Sequence, residues 1–341
     1  MMNDPFYPVP TVPPRISVAI PLYNEESGIH ELLSRVLSVL DGIAGGPHEV
    51  VLVDDGSSDR TLELLEAAAA DDSRLVVLSL SRNFGHQAAL TAALDHVTGD
   101  VTVMMDGDLQ DPPELIPRFL QEYAAGYDVV YSQRLKRRER WWLRFSYFLF
   151  YRILDRLSSI GIPLDAGDFG LVSRRVVEQL RRTPERHRFL RGLRTWIGFR
   201  QIAVPVERPG RRSGQSKYGP RKLLGLAFDG LFAFSIVPIR AAALLGALAI
   251  LLAGAFELYA LGAKLFLQGS PRGFTALTVL ITFMSGVNLF FLGVIGEYVG
   301  RVYEEVKGRP LYIVSRIIRR TPSAVPVAAA VYRAPAGRRS R

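Results

Sequence analysis

Short runs of β-branched and aliphatic residues alternate with amphipathic segments between residue 15 and about residue 130. Continuous or period-2 apolar runs predict strands, and apolar residues spaced by three and four predict helices. The predicted strands are residues 16–21, 49–53, 75–80, 100–105 and 129–132. The predicted helices are residues 26–40, 61–70, 86–96 and 113–124. Strands that alternate with helices indicate parallel βαβ units in a covered sheet, so the fold class is α/β.

Two long apolar segments occupy part of the last third of the chain. The charged residues in 241–267 are Glu257 and Lys264, and the charged residue in 274–299 is Glu297. Each segment is longer than the about 20 residues that cross a bilayer. We therefore predict transmembrane helices at 238–267 and 274–299, joined as a hairpin by a short linker. A pair of buried core helices is the alternative.

The basic residues lie beside the apolar segments. Residues 208–222 hold six basic residues and no acid, and the predicted tail, residues 300–341, is also basic. By the positive-inside rule both flanks are cytoplasmic, which predicts a multi-pass protein of the inner (plasma) membrane with both termini in the cytoplasm. The tail beyond Arg320 is rich in Ala, Pro and Arg, which favours disorder.

Three other segments complete the predicted organisation. Residues 1–14 are rich in proline and are expected to form a disordered or extended leader. Residues 15–220 are expected to form a cytoplasmic domain. Within it, residues 141–157 combine aromatic and arginine side chains, as interfacial helices do, although packing against the domain is the alternative. Residues 221–234 form a second such stretch, a juxtamembrane helix.

Composition excludes several function classes. Hydrophobic residues make up 48% of the 341 residues, too many for a disordered chain. The chain has no cysteine, which excludes disulfides, thiolate metal sites and cysteine nucleophiles. A net charge of +9 suits nucleic acid, a membrane surface or a phosphate-bearing substrate. Because the charge flanks the apolar segments, we expect no nucleic-acid partner.

Acidic side chains follow two of the predicted strands. Asp54 and Asp55 end the second strand and precede Gly56, and Glu25 follows the first. Open α/β sheets bind ligands beyond the carboxyl ends of their strands. Carboxylates there suit hydrogen bonds from ribose hydroxyls or a base N–H group. The alternative is a turn with a helix N-cap, a role that suits Ser57 or Asp59.

An Asp-x-Asp sequence follows the fourth strand. Asp106 and Asp108 flank Gly107, which leaves room for a ligand to approach. Such hard oxygen ligands suit Mg²⁺ or Mn²⁺, with diphosphate oxygens and waters completing the coordination. Dinucleotide-binding and P-loop glycine patterns are absent from the sequence. The five histidines do not cluster with metal-ligand spacing, and we expect them to have structural or solvent roles.

Taken together, residues 21–26, 54–59 and 106–110 resemble the family 2 glycosyltransferases. The sequences at 81–85, 108–114, 165–169 and 208–218 are similar to the polyprenyl-phosphate branch of that family. This branch includes dolichol-phosphate mannose synthases and bactoprenol glucosyltransferases. The resemblance covers residues 15 to 309 and implies a Rossmann-like GT-A domain with paired C-terminal membrane helices. Tetramers occur in the family, so a homotetramer is left open.

The resemblance also implies roles for individual residues. It assigns metal binding to Asp106, Asp108 and Gln110. It assigns binding of the donor nucleotide to Pro21, Tyr23, Glu25, Asp54, Asp55, Arg82, Asn83, Gly85 and Asp106. It assigns binding of the acceptor phosphate to Arg208, Arg211, Ser216 and Lys217. The residues expected to carry catalysis are Asp168, Asp108, Arg211 and Lys217.

The implied reaction needs little proton abstraction, because an acceptor phosphate with a second pKa near ~6 is largely ionised at neutral pH. Asp168 is therefore expected to orient or modulate, with a general-base role as the weaker alternative. The expected activity is inverting transfer of one sugar, with glucose preferred, from a UDP-sugar to undecaprenyl or another polyprenyl phosphate in the bilayer.

Two alternatives stay open: a GDP-mannose-dependent mannosyltransferase, and a membrane-tethered nucleotide-sugar-binding protein without turnover. A processive polysaccharide synthase is disfavoured, because the Arg-Trp pair at 140–141 lacks the expected preceding Gln and comes before Asp168.

Overall fold

The computed structural model describes residues 12–134, 166–183, 185–186, 188–206 and 273–320, with residues 246, 251, 254, 255 and 258. The strands in these ranges are β1 (Ile16–Leu22), β2 (Glu49–Asp54), β3 (Leu75–Leu80), β4 (Val101–Met104), β5 (Val129–Arg134), β6 (Ala166–Ser173), β7 (Gln201–Val206) and β8 (Val314–Arg319). The α-helices are α1 (Ile29–Asp41), α2 (Thr61–Asp71), α3 (His86–His96), α4 (Ile116–Ala124), α5 (Arg174–Arg182), α6 (Leu190–Trp196) and α7 (Phe274–Val306), and a 3-10 turn spans Pro113–Leu115.

The described strands form one mixed sheet in the order β7-β5-β6-β4-β1-β2-β3-β8. The four strands β4, β1, β2 and β3 are parallel neighbours, as the alternating pattern predicts. On one side β6 runs antiparallel to both β4 and β5, and β7 then pairs with β5 in parallel. On the other side β8 pairs antiparallel with β3. The predicted α/β class is confirmed, with a mixed sheet.

Helices cover both faces of this sheet. On one face Ile20 and Leu52 pack with Leu32 of α1 and Phe119 of α4. On the other face Ala19, Val51 and Val53 pack with residues of α3, α5 and α6, including Leu90, Val176 and Leu193. All seven residues of β1 are buried, as expected for a strand covered on both faces.

The five predicted strands agree with β1–β5 to within two residues at each end. The predicted helix 113–124 is instead a 3-10 turn followed by α4. The predicted helix 26–40 begins three residues later, at Ile29, because the preceding backbone bonds to the 59–61 turn: the amide of Glu25 donates to Thr61 Oγ1 and that of Glu26 to Asp59.

The strand β8 lies in the segment that the sequence analysis assigned to the basic tail 300–341. Its side chains are half-buried or exposed, and Ile317 remains 51% exposed. A strand at a sheet edge has few buried positions, so its sequence carries little apolar alternation. The residue before β8, Ile313, accepts a hydrogen bond from the Ser81 amide at 2.9 Å. The chain after α7 therefore completes the sheet.

The helix α7 extends the predicted segment 274–299 to Val306. Within the described residues, the stretch Phe283–Val306 is long and apolar enough to span a membrane, and none of its apolar window is buried. The predicted span 238–267 lies outside the described residues except for five isolated positions, so the hairpin stays a prediction. The segments 1–11, 141–157, 221–234 and 321–341 also lie outside.

Candidate active site

The carboxyl ends of β1, β2 and β4 meet at one edge of the sheet, since these strands are parallel neighbours. The Asp55 amide, directly after β2, donates to the Leu22 carbonyl at the end of β1 at 2.9 Å. The register of β4 and β6, which places Met104 opposite Gly170, brings the beginning of β6 to the same edge. If the same antiparallel register is continued two residues beyond Met104, Asp106 lies opposite Asp168. The acidic residues singled out in the sequence therefore converge here.

Asp55 is buried and organises the loop that follows β3. Its Oδ1 accepts the Phe84 amide at 2.7 Å and its Oδ2 accepts the Gly85 amide at 2.9 Å. Burial raises the pKa of the Asp55 carboxyl and the adjacent Asp54 charge adds to the rise, while these two backbone hydrogen bonds oppose it. Asp54 is also buried and accepts the Ser57 amide at 3.2 Å. The backbone therefore supplies hydrogen bonds to both of these adjacent carboxylates.

The 81–85 loop also packs tightly on Gly56. Gly56 adopts a φ of 68°, and a Cβ atom added to it would lie 2.6 Å from the carbonyl carbon of Arg82. Glycine is required here both for the left-handed conformation and for the close approach. The Arg82 guanidinium stacks 4.0 Å from the centre of the Phe84 ring and donates to the Asn83 carbonyl. The two loops thus form one unit beside the end of β2.

The Asp-x-Asp loop lies against the end of β1. A Cβ atom added to Gly107 would lie 2.3 Å from Leu22 Cδ2 and 3.4 Å from the Pro21 carbonyl oxygen. The Gln110 amide donates to Asp108 Oδ1 at 3.2 Å, which closes a turn around Leu109. Leu109 has a φ of 58°, an uncommon conformation for a branched side chain. Such local strain is typical of functional loops.

Asp106 has a partner that the sequence analysis did not assign. The Nε2 atom of His86 lies 2.8 Å from Asp106 Oδ1. Burial lowers the pKa of the His86 imidazole, but the hydrogen bond and charge of Asp106, with the charge of Asp168, raise it overall. The expectation for His86 was a structural or solvent role, and the structure shows it in contact with a proposed metal ligand. The signal available in the sequence was its position directly after Gly85.

Asp168 is held by an arginine that the sequence analysis also missed. Arg191 Nε lies 2.6 Å from Asp168 Oδ1, and Arg191 Nη2 lies 2.6 Å from Oδ2, a bidentate pair. Burial raises the pKa of the Asp168 carboxyl, but Arg191, His86 and Arg194 outweigh it and lower the pKa to about 2. A carboxylate with so low a pKa is a weak proton acceptor, which favours the orienting role.

Arg194 is a second guanidinium beside Asp168. It is almost completely buried, and its guanidinium carbon lies 4.9 Å from the centre of the Tyr131 ring. Its Nε atom has no hydrogen-bond partner among the described residues. Burial lowers the pKa of Arg194 to about 10, and Arg191 adds to that shift. A second arginine thus acts on the Asp168 carboxylate beside Arg191.

The oxygen ligands of the Asp-x-Asp loop suit a divalent cation in part. Within the described ranges, no group of three or more His, Asp or Glu side chains is arranged to hold a metal ion. Two hard carboxylates from one loop match Mg²⁺ or Mn²⁺ when substrate diphosphate and water supply the other ligands. The residues therefore fit a cation that binds together with the donor.

The remaining predicted residues divide into two groups. Tyr23 directly follows β1 and is 42% exposed, and Glu25 begins the turn that precedes α1. Pro21 is buried at the end of β1. The predicted acceptor residues lie outside the described residues: Arg208, Arg211, Ser216 and Lys217.

Comparison with known proteins identifies the family. The family model described as glycosyl transferase family 2 matches residues 17–181. The uncharacterized glycosyltransferase YkcC of Bacillus subtilis is 42% identical over 88% of this chain and 93% of its own. The SfII prophage-derived bactoprenol glucosyl transferase of Shigella flexneri is 36% identical over 90% of this chain and 100% of its own.

Two further similarities extend this set. The undecaprenyl-phosphate 4-deoxy-4-formamido-L-arabinose transferase of Edwardsiella ictaluri is 36% identical over 89% of this chain and 94% of its own. The solved structure of the mannosyltransferase PcManGT from Pyrobaculum calidifontis, in complex with GDP-Man and Mn²⁺, aligns with a TM-score of 0.44 and 21% identity over 84% of this chain and 89% of that one. The chain belongs to glycosyl transferase family 2 and is a glycosyltransferase.

Proposed function

We propose that this glycosyltransferase moves a single sugar from a nucleoside-diphosphate sugar to a polyprenyl phosphate at the membrane surface. The observation that carries the proposal is the convergence of Asp55, Asp106 and Asp168 at one sheet edge, each already held by a defined partner. UDP-glucose is the proposed donor and undecaprenyl phosphate is the proposed acceptor.

The donor half of the site is formed by the loops after β1, β2 and β3. Asp55 and Gly56 support the 81–85 loop, and the resemblance assigns Arg82, Asn83 and Gly85 to the nucleotide. Asp106 and Asp108 would hold a divalent cation with the donor diphosphate. When bound, such a cation neutralises the charge that develops on the leaving diphosphate.

The acceptor is inferred from the relatives and from α7. Two relatives are named for bactoprenol or for undecaprenyl phosphate, and their names give different sugars. A lipid-linked acceptor agrees with an exposed apolar helix that is long enough to enter a bilayer. The proposed acceptor residues Arg208, Arg211, Ser216 and Lys217 precede the predicted first span, on the side that we propose faces the cytoplasm.

The proposed reaction is an inverting displacement. An oxygen of the acceptor phosphate forms a bond to the anomeric carbon as the bond from that carbon to the donor diphosphate oxygen breaks. The nucleoside diphosphate leaves with the electron pair, and the product is a polyprenyl phosphate-linked sugar. The acceptor oxygen is already ionised, so positioning and charge compensation dominate the barrier. Asp168, held ionised by Arg191, orients groups at the reacting centre.

The test uses the full-length protein purified in lipid with undecaprenyl phosphate, Mg²⁺ or Mn²⁺, and labelled UDP- and GDP-sugars. The expected result is cation-dependent transfer of label from UDP-glucose into the lipid phase. Asp106→Asn and Asp168→Asn should each abolish it. The surface variant Glu63→Gln, whose side chain pairs with Arg60, is the control for handling and folding.

The donor panel separates the alternatives. Transfer from GDP-mannose and from no other donor would refute UDP-glucose as the donor and support the proposed acceptor. Binding of a nucleotide sugar without transfer to any polyprenyl phosphate would refute the proposed acceptor.

A further inference from the structure

The Arg191–Asp168 pair joins two elements that the sequence separates by 23 residues. Asp168 lies near the beginning of β6, and Arg191 is the second residue of α6. The Asp168 side chain is 11% exposed and that of Arg191 is 34% exposed. A planar guanidinium that binds both carboxylate oxygens fixes direction as well as charge.

We propose that Arg191 is a positioning residue that sets the orientation of the Asp168 carboxylate at the reacting centre. This inference rests on the proposed function, because it concerns how the same site is organised for sugar transfer. Arg191 acts through Asp168 and is not itself assigned a contact with substrate.

The backbone on both sides of Asp168 is already immobilised. A Cβ atom added to Gly167 would lie 2.5 Å from Ser132 Oγ, so the chain passes close to β5. Phe169 is fully buried and packs on Phe119, with ring centres 4.9 Å apart. The rotation of the Asp168 side chain is the freedom that remains. The two hydrogen bonds from Arg191 remove it.

Arg191 is in turn located by the anchoring of α6. Leu190 and Leu193 are buried in the core, and the Leu190 amide donates to Gln87 Oε1 at 3.1 Å. Gln87 directly follows His86, which contacts Asp106. The position of Arg191 is therefore tied to the helix that also carries the partner of the Asp-x-Asp loop. The contact between α3 and α6 therefore links the partners of the Asp106 and Asp168 carboxylates.

The charges around Asp168 agree with this role. Arg191 and Arg194 face it from α6 and His86 faces it from α3, while Tyr131 of β5 lies against Arg194. Burial raises the pKa of the Asp168 carboxyl, and the cations hold it low. Removal of Arg191 leaves a buried carboxylate with weaker compensation, and such a group regains a higher pKa.

The test compares Arg191→Gln and Arg191→Lys with the wild type in the lipid-based transfer assay across pH. Arg191→Gln should lower kcat about 10²-fold with little change in donor KM, since misplacement at a reacting centre costs about that factor. It should also lose rate at acidic pH more steeply than the wild type, beyond the loss that protonation of the acceptor phosphate causes in both. Arg191→Lys keeps the positive charge but cannot form the bidentate pair of hydrogen bonds, so it should restore the pH profile but only part of kcat.

Arg35→Gln is the matched control, because Arg35 forms an equally bidentate pair with Glu114 and is 31% exposed. This variant should keep the wild-type kcat and pH profile. Folded Arg191→Gln protein with the wild-type rate and profile would overturn the inference. So would an equal loss of rate in the Arg35→Gln control, because the effect would then be structural.

A second readout does not depend on transfer. Infrared difference spectra between each Arg191 background and its Asp168→Asn counterpart report protonation of the Asp168 carboxyl. We expect no protonation in the wild type between about pH 4 and about pH 8, and protonation within that range in Arg191→Gln. If transfer fails with every donor but this titration is observed, the proposed function fails and the Arg191 contact stands. If the titration is the same in both backgrounds, the inference fails.

Discussion

The Nε2 atom of His86 lies 2.8 Å from the Oδ1 atom of Asp106. His86 is the first residue of α3, and Asp106 follows β4, so the contact joins the 81–85 loop to the Asp-x-Asp loop. Asp55 holds the amide of Gly85, the residue before His86. A short chain of hydrogen bonds thus connects the end of β2 with the proposed metal ligand.

Replacement of His86 by Ala should weaken the affinity of the site for the divalent cation. Partners that orient a metal ligand contribute about 10- to 100-fold in metal affinity, so the Mg²⁺ or Mn²⁺ concentration for half-maximal transfer should rise by about that factor. Cation titrations at saturating donor measure the effect. His30→Ala is the control, since His30 is an exposed residue of α1. Equal cation requirements in the two variants would contradict a role for the His86 contact.

Gly56→Ala should damage the donor site through the 81–85 loop. The added methyl group would press on the backbone of Arg82 and Asn83 and would strain a residue with a φ of 68°. We expect the donor KM to rise about tenfold and the free energy of unfolding to fall by about 1–3 kcal/mol. Initial-rate kinetics and denaturant unfolding measure these two changes.

Gly198→Ala is the control that separates the effect of backbone strain from the effect of the contact between Gly56 and the 81–85 loop. Gly198 has a φ of 79°, but among the described residues an added Cβ atom would meet only the Trp196 carbonyl oxygen, at 3.8 Å. This variant should lose stability and keep the wild-type donor KM. If its donor KM rose as much as that of Gly56→Ala, backbone strain alone would account for both results.

Tyr312→Phe should loosen the segment that follows α7. Tyr312 Oη donates to Asp95 Oδ2 at 2.7 Å, which ties this segment to α3. Burial raises the pKa of the Tyr312 phenol and Asp95 raises it further, so the phenol remains a donor at working pH. We expect unfolding to become easier by about 1–2 kcal/mol. Protection of β8 amides from hydrogen exchange should fall in parallel.

Tyr303→Phe provides the comparison for that change. Tyr303 is 60% exposed on α7, and its ring stacks with Lys307. The loss of its hydroxyl should leave exchange at β8 unchanged. Equal exchange in both variants and the wild type would show that the Tyr312–Asp95 bond does not hold the strand.

The free energy of unfolding should depend on the ionisation of Asp168 at low pH. The pKa of this carboxyl falls from 3.8 to about 2 on folding, against the effect of its burial, because of Arg191. Because the pKa of this carboxyl is lower in the folded state, its ionised form stabilises the folded protein at pH values above the unfolded pKa. This stabilisation is lost as the pH falls through the folded pKa. The contribution is about 2 kcal/mol at neutral pH. The stability difference between wild type and Asp168→Asn should shrink between about pH 4 and about pH 2; a constant difference would contradict the assignment.

The sequence by itself predicts the parallel half of the molecule. In β1–β4 and their helices, apolar residues recur with periods that follow from backbone geometry, so local pattern is enough. The acidic residues at the ends of β1, β2 and β4 could be assigned to one edge because parallel strands present their carboxyl ends together. That is why Asp54, Asp55 and Asp106 were identifiable before any tertiary contact was known.

The tertiary structure alone decided the antiparallel additions and the partners of the acids. β8 has mostly exposed side chains, so only its pairing with β3 distinguishes it from a tail. The local sequence does not reveal the partners of His86 and Arg191, since each contacts a carboxylate about twenty residues away in sequence. Periodicity records which face of an element is buried. It does not record which side chains from different elements meet, because that depends on how the elements pack.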